Sequence, residues 1–344
     1  ICYPNGLECT EDWKHCCQTL IKKIPRSLKK NLAACAVDGT SGTLVACDFQ
    51  GSPLGNALPY HINCSEHERT LQELIPLEEN ASHSNSSLAR ALRLTTEFGN
   101  NLLLRHQADW INGWLIGDWS WGEEGNNLRF GWNLIKRSWP PEFAQLAWRH
   151  ALPEIVASGK ILKTISSANS RNLELPKKML VIAGTTDSNA AVLAANPKPK
   201  DGITVLGSTM VMKIFVSEPL QGVGISNHRV GGQWISGGAS NAGGAVLRQI
   251  FSDEELKELS RQINPEIDSG INLLPLPFQG ERFPINDPNL KPVLEPRPIS
   301  DSLYLHALLE GLTRIEVLGW QRLKEMGAPY PKRIITIGGG SHNP

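Results

Sequence analysis

The chain has 344 residues, 40% of them hydrophobic, enough to bury a sizeable core and to form two domains of ordinary size. Lys plus Arg number 34 and Asp plus Glu number 34, so no net field favours nucleic acid or an anionic membrane surface. The seven cysteines all lie between Cys2 and Cys64, an odd count with no C-x-x-C spacing, which argues against a zinc site or a disulfide framework. No apolar run approaches the roughly 18 residues of a membrane span, so a soluble, reduced, cytoplasmic setting is expected.

Trp13, Cys17, Leu20, Ile21 and Ile24 recur at three-to-four-residue spacing among charged residues, which predicts an amphipathic helix over 11–24 that Pro25 helps to end. The small apolar run 32–37, the polar turn 38–43 and the apolar run 44–47 predict a β-hairpin whose tip presents hydroxyls and backbone N–H groups. Helical signals return over 85–150, where seven of the ten tryptophans crowd together and read mainly as core. Residues 158–178 are polar with weak periodicity and read as the boundary between two domains, 1–178 and 179–344.

Beyond that boundary, 179–183 is a short buried strand, 184–188 its turn and 190–195 a small-residue helix. Residues 203–206, 207–209 and 210–216 repeat the strand, turn, strand pattern and predict a second hairpin. A glycine-rich segment at 231–244 leads into a helix that includes Val246 to Phe251, and 253–263 is a charged amphipathic helix. A proline-punctuated stretch, 275–298, precedes a long helix over 302–326, and the strand 333–337 opens onto a glycine turn at 338–343.

Four turns therefore combine glycine with hydroxyl, carboxylate or amide groups: 38–43, 184–188, 207–209 and 338–343. Glycine lets the backbone approach closely, N–H groups face an anion and Ser/Thr hydroxyls complete a cradle, a pattern suited to phosphate and nucleotide. The chain has no G-x-x-x-x-G-K-[ST] P-loop, no G-x-G-x-x-G fingerprint, no G-x-S-x-G elbow and no H-E-x-x-H helix. Asp187 is the strongest candidate carboxylate, because it follows a strand and opens a helix, where α/β sheets place ligands. From local sequence it reads equally as a helix N-cap, while Asp38 and Ser41 also fit a simple turn-capping role.

Together the motifs resemble those of the FGGY carbohydrate kinases, and most closely the D-ribulose/D-xylulose kinases of cyanobacteria and plants. The matching runs are V-D-G-T-S-G-T at 37–43, H-Q-A-D-W at 106–110, A-G-T-T-D-S at 183–188, L-G-S-T at 206–209, G-G-A-S-N at 237–241, G-E-R-F-P at 280–284, and G-G-G-S at 338–341 with Asn343. They span nearly the whole chain in one order. The resemblance implies an α/β fold of two actin-like ATPase (ribonuclease H-like) domains, each a mixed sheet flanked by helices, both incomplete. It implies Asp187 as the base that takes a proton from a ketose terminal hydroxyl. Asp38, Ser41, Asp109 and Trp110 would meet the sugar; Gly207, Ser208 and Thr209 the ATP phosphates; and Gly339, Gly340 and Asn343 the adenosine. Cofactors are then ATP and Mg2+, with no protein residue assigned to the metal, and the partners are a small sugar and ATP, without nucleic acid or membrane. The cellular location implied is cytoplasmic, or the plastid stroma for a plant protein. The family opens with a strand and a Gly/Thr phosphate loop that is absent before the helix near Glu11, and it continues past the final glycine motif. The expectation is therefore a piece of a longer kinase, inactive alone. A non-catalytic actin-like binding protein is the competing reading.

Overall fold

The computed structural model describes residues 2–76 and 80–343, which divide into two compact units. One is built on the chain up to Ala190 together with Arg229–Gly232, the other on Ala191–His228 and the chain from Gln233 onward.

In chain order the first unit holds helices α1 (Thr10–Lys23) and α2 (Arg26–Lys29), strands β1 (Ala34–Gly39) and β2 (Leu44–Cys47), and helices α3 (Glu68–Leu74) and α4 (Ser87–Phe98). Strand β3 (Leu103–His106), helix α5 (Gln107–Ile116) and strands β4 (Trp121–Glu123), β5 (Glu154–Val156) and β6 (Ile161–Thr164) follow. Helix α6 (Ser167–Leu173) and strand β7 (Leu180–Thr186) complete it, and helix α7 (Asp187–Ala194) runs on past the division. The expected helix α1 is present; it buries Trp13 and Cys16, leaves Cys17, Ile21 and Ile24 partly buried, and exposes Leu20 of the expected stripe by 54%. Strand β7 lies between β1, to which it is parallel, and β6, to which it is antiparallel.

The first predicted hairpin does not form. Strands β1 and β2 lie in different sheets: β1 pairs with β7, and β2 pairs antiparallel with β3 from Leu44↔His106 to Cys47↔Leu103. All four β2 residues are buried, so this strand reads as core rather than as one arm of a half-exposed hairpin. The two compact units part at Ala190. Residues 158–178 contain β6 and α6, and the central place of β7 in the first sheet carries the division to Ala190. The polar, weakly periodic look of this stretch comes from an edge strand whose Ile161 is half exposed.

The second unit contains strands β8 (Asp201–Leu206), β9 (Met210–Val216), β10 (Ile225–Val230, its last two residues counted with the first unit) and β11 (Gln233–Ser240), helices α8 (Gly244–Arg248), α9 (Asp253–Ser260) and α10 (Asp301–Glu325), and strand β12 (Arg333–Ile337). The expected β8–β9 hairpin is formed, with Gly202 opposite Ile214 and Leu206 opposite Met210. The sheet order is β10-β11-β9-β8-β12, with β12 parallel to β8. Much of the glycine-rich segment is strand: a Cβ on Gly237 would lie 1.9 Å from the Met212 carbonyl oxygen, and one on Gly238 would lie 2.4 Å from the Phe283 ring. Glycine is thus required where β11 meets its neighbours.

Helix α10 lays Leu305, Leu308, Leu312 and Ile315 on this sheet's core, with Ser300 as N-cap accepting from Leu303 N. Burial of each such side chain contributes about 1.5–3 kcal/mol before the entropy of ordering it is counted. Among the described residues no helix is long and apolar enough to cross a membrane.

Candidate functional site

In the first unit the parallel pairing of β1 and β7 brings two of the four glycine turns side by side. Val37 is in register with Ala183 and Gly39 with Thr186, so the turns 38–43 and 184–188 leave the same edge of the sheet. Asp38 Oδ1 accepts the Thr185 backbone N–H at 2.8 Å. A Cβ on Gly184 would lie 2.1 Å from the Val37 carbonyl oxygen and 2.7 Å from Asp38 Oδ1, so only glycine allows this approach.

Asp187 opens α7 with its side chain exposed, and its Oδ1 accepts the neighbouring Ser188 N–H at 2.7 Å. The acidic group sits at the N-terminal end of the helix. Thr185, Thr186 and Asn189 beside it are buried, and Asn189 Nδ2 reaches Thr185 Oγ1 at 3.4 Å. The carboxylate therefore projects from a fixed base.

The 38–43 turn is pinned by residues that the sequence reading did not single out. Gln107 Oε1 accepts from both the backbone N and the Oγ1 of Thr40, each at 3.0 Å, and Gln107 N donates to the Thr43 carbonyl at 3.2 Å. Thr40 Oγ1 and Thr43 Oγ1 are hydrogen-bonded at 2.7 Å, and Thr43 Oγ1 also accepts the Tyr60 N–H at 3.2 Å. Arg90, fully buried, donates from Nη1 to the Gly42 carbonyl at 3.0 Å and from Nη2 to the carbonyls of Tyr60, Ile62 and Asn85. Burial, with the nearby Arg129 charge adding to it, holds its pKa down at about 10, still well above neutrality. With its neighbours so occupied, the half-buried Ser41 makes no hydrogen bond among the described residues, which leaves its hydroxyl available. Arg90 was legible only as an arginine on the apolar face of a predicted helix. Gln107 lay inside a quoted motif without a role.

Asp109 and Trp110, expected to meet the sugar, are both buried on α5. Asp109 is 4% exposed and accepts from Glu123 N at 2.9 Å and Asn127 Nδ2 at 3.3 Å. Trp110 is 3% exposed, donates from Nε1 to the Gly51 carbonyl at 2.9 Å and meets the Trp13 ring edge-on at 5.8 Å. The polar atoms of both are hydrogen-bonded to these neighbours. Around Asp109 lies a buried polar cluster in which burial, with the Asp109 and Glu124 charges adding to it, pushes the Glu123 carboxyl up to about 8.

In the second unit the remaining turns converge around Leu206. Gly207 N donates to the Thr209 carbonyl at 3.0 Å, while Gly244 N and Ala245 N donate to the carbonyls of Gly207 and Ser208 at 2.8 and 3.1 Å. The parallel pairing of β12 with β8 sets Ile337 opposite Val205, so the turn after β12 lies beside the turn after β8. A Cβ on Gly338 would lie 2.7 Å from the Leu206 carbonyl oxygen, and one on Gly340 would lie 2.6 Å from the Leu206 side chain. Gly339 has nothing within 4 Å of its Cβ direction, and Ser208 is exposed. Gly207, Ser208, Thr209, Gly339 and Gly340 thus form one open, glycine-lined surface. Asn343 joins its edge, donating from Nδ2 to Ser260 Oγ at 2.7 Å.

No family model matches the chain. Solved structures do. A ligand-bound xylulose kinase from Lactobacillus acidophilus is similar with a TM-score of 0.72 and 17% identity over 96% of this chain and 71% of that one. The chain has the two-domain, actin-like fold of such kinases. A xylulose kinase from Rhodospirillum rubrum gives 0.74 and 19% over 90% and 68% of the respective chains. A Plasmodium falciparum glycerol kinase solved with ADP gives 0.73 and 14% over 95% and 72%. At these identities the likeness defines the fold and leaves function to the site itself.

Proposed function

We propose that the chain belongs to an ATP-dependent sugar kinase that phosphorylates the terminal hydroxyl of a ketopentose, D-ribulose or D-xylulose. The observation that carries the reading is the junction of β1 and β7, where an exposed carboxylate, Asp187, and an unengaged hydroxyl, Ser41, flank one sheet edge. Xylulose kinases among the structures of the same fold support the substrate class.

In this mechanism Asp187 accepts the proton of the sugar hydroxyl as its oxygen becomes the nucleophile. Ser41 and the ordered 38–43 backbone hold the sugar so that this hydroxyl lies within hydrogen-bond reach of the base. The surface around Leu206 fits a nucleotide, because a Cβ at Gly338 or Gly340 would overlap Leu206 while the Gly339 side stands open. Gly207, Ser208 and Thr209 would face the phosphates, with Gly339, Gly340 and Asn343 against the adenosine. ATP, when bound, supplies the phosphoryl group. Among the described residues no cluster of three or more His, Cys, Asp or Glu is arranged to hold a metal, so Mg2+ would be held chiefly by phosphate oxygens and water.

The test is Asp187→Asn in the intact protein, assayed by ADP release with a panel of sugars. The expected result is a fall in kcat of about 10²–10⁴ with sugar and ATP affinities little changed. An unaltered kcat removes Asp187 from the chemistry.

A further inference from the structure

We propose that the first unit carries a second carbohydrate-binding site, a cavity of about 400 Å³ at the opposite end of β2 from the 40–43 turn, which takes a neutral mono- or disaccharide. Strand β2 begins at Leu44, next to the turn that holds Ser41, and ends at Cys47, opposite Leu103. Phe49, which follows β2, and Leu103, which pairs with Cys47, line the cavity, so these walls lie beyond the end of β2 opposite to the turn with Ser41. The volume lies within the range of small-molecule sites.

Aromatic surface is the first part of the argument. Phe49 is 49% exposed, an unusual position for a phenyl ring, and it stacks on His150 with centroids 6.3 Å apart and planes 26° from parallel. Trp119 lies in a slot made by two glycines: a Cβ on Gly51 or Gly113 would come within 2.1 or 2.2 Å of its indole. Its Nε1 donates to the Trp110 carbonyl at 3.1 Å, so this wall is fixed before any ligand arrives. The π faces of such rings carry partial negative charge and suit the polarised C–H face of a sugar ring.

The polar set is the second part. Arg105 lines the cavity, is 2% exposed, and donates from Nε to the Trp119 carbonyl and from Nη1 to the carbonyls of Leu104 and Ala151 at 2.6 and 2.7 Å. Its Nη2 has no partner among the described residues, so the two N–H groups of that nitrogen remain for a ligand. Asp118 is likewise anchored, accepting from Ser120 Oγ at 2.5 Å and pairing with Lys163 at 2.6 Å, and Glu154 adds a second carboxylate. Arg105 and Lys163 balance Asp118 and Glu154, so a charged ligand gains no net attraction. Vicinal hydroxyls, which both donate and accept, match this mixture.

The site is tested on the intact protein by calorimetric titration with D-xylulose, D-glucose and maltose, using wild type, Ser41→Ala, Phe49→Ala and Ser120→Ala. The expected result is saturable binding of at least one of these sugars that persists in Ser41→Ala and weakens at least tenfold in Phe49→Ala. Phe49 is half exposed, so its truncation should leave the fold intact. Ser120→Ala, which perturbs only the Asp118 anchor, is expected to weaken the same event. Sugar binding that vanishes in Ser41→Ala, binding indifferent to Phe49, or no binding beyond the Ser41-dependent event overturns the proposal. Because the readout is taken with Ser41 removed, it stands apart from the kinase reading.

Discussion

The carboxylate of Asp38 accepts the backbone N–H of Thr185 at 2.8 Å, joining residues 147 positions apart in the chain. This bond fastens the turn that carries Ser41 to the strand that delivers Asp187. Asp38→Ala leaves the amide of a residue that is 2% exposed without its partner, a loss expected at about 1–3 kcal/mol. Asp38→Asn, which keeps an acceptor oxygen, is expected to recover most of it. Urea denaturation of both variants measures the difference.

Gly339→Ala separates nucleotide binding from folding. The added Cβ meets nothing within 4 Å, so stability should be unchanged. On the proposed adenosine surface it intrudes on the ligand, and KM for ATP is expected to rise about tenfold, equivalent to roughly 1.4 kcal/mol, while KM for sugar stays constant. A shift in Tm with unaltered ATP kinetics would contradict the assignment.

Gln107→Ala removes the acceptor for Thr40 N and Thr40 Oγ1. Gln107 acts through the turn and does not itself meet the reacting atoms. KM for sugar is therefore expected to rise with kcat less affected, and KM for ATP should not move. Gln107→Glu, which retains the acceptor, is expected to restore sugar affinity in steady-state assays.

Glu123 gives the fold a pH dependence. Its carboxyl is raised by burial from the ordinary 4.5 to about 8 in the folded chain. Between these values the unfolded chain has released the proton while the folded chain retains it. The stabilisation is therefore complete below pH 4.5 and is lost as pH rises through 8. Asp109 and Glu124, the acidic neighbours of this group, reinforce the direction. Glu123→Gln should flatten the decline in Tm between pH 5 and 8, which calorimetry at several pH values would reveal.

The elements with a clean local signature were legible in the sequence: α1 and α10 through their apolar stripes, and the β8–β9 hairpin through two strands around a short glycine turn. The region 32–47 showed the same local signature, yet β1 and β2 diverge, because their partners β7 and β3 come from distant sequence that local pattern does not encode. The strand within the glycine-rich segment was not legible, because the reason for its glycines, contact with Met212 and Phe283, lies in other elements. The position of Asp187 at a strand-to-helix junction was readable from its neighbours. The burial of Asp109 and Trp110 was not, since a short motif records residue type and order but not which face turns inward.

The partnership of β1 with β7 also governs biosynthesis. A ribosome must release residues through Thr186 before the segment around Val37 can acquire its neighbour in the sheet. Until then the nascent chain holds β1 as an unpaired edge, open to chaperones and to mispairing, with the Ser41 segment unsupported on that side. Slowing translation just ahead of codon 180 should therefore lengthen the interval of vulnerability, whereas a pause placed after residues 180–186 have left the ribosome should not.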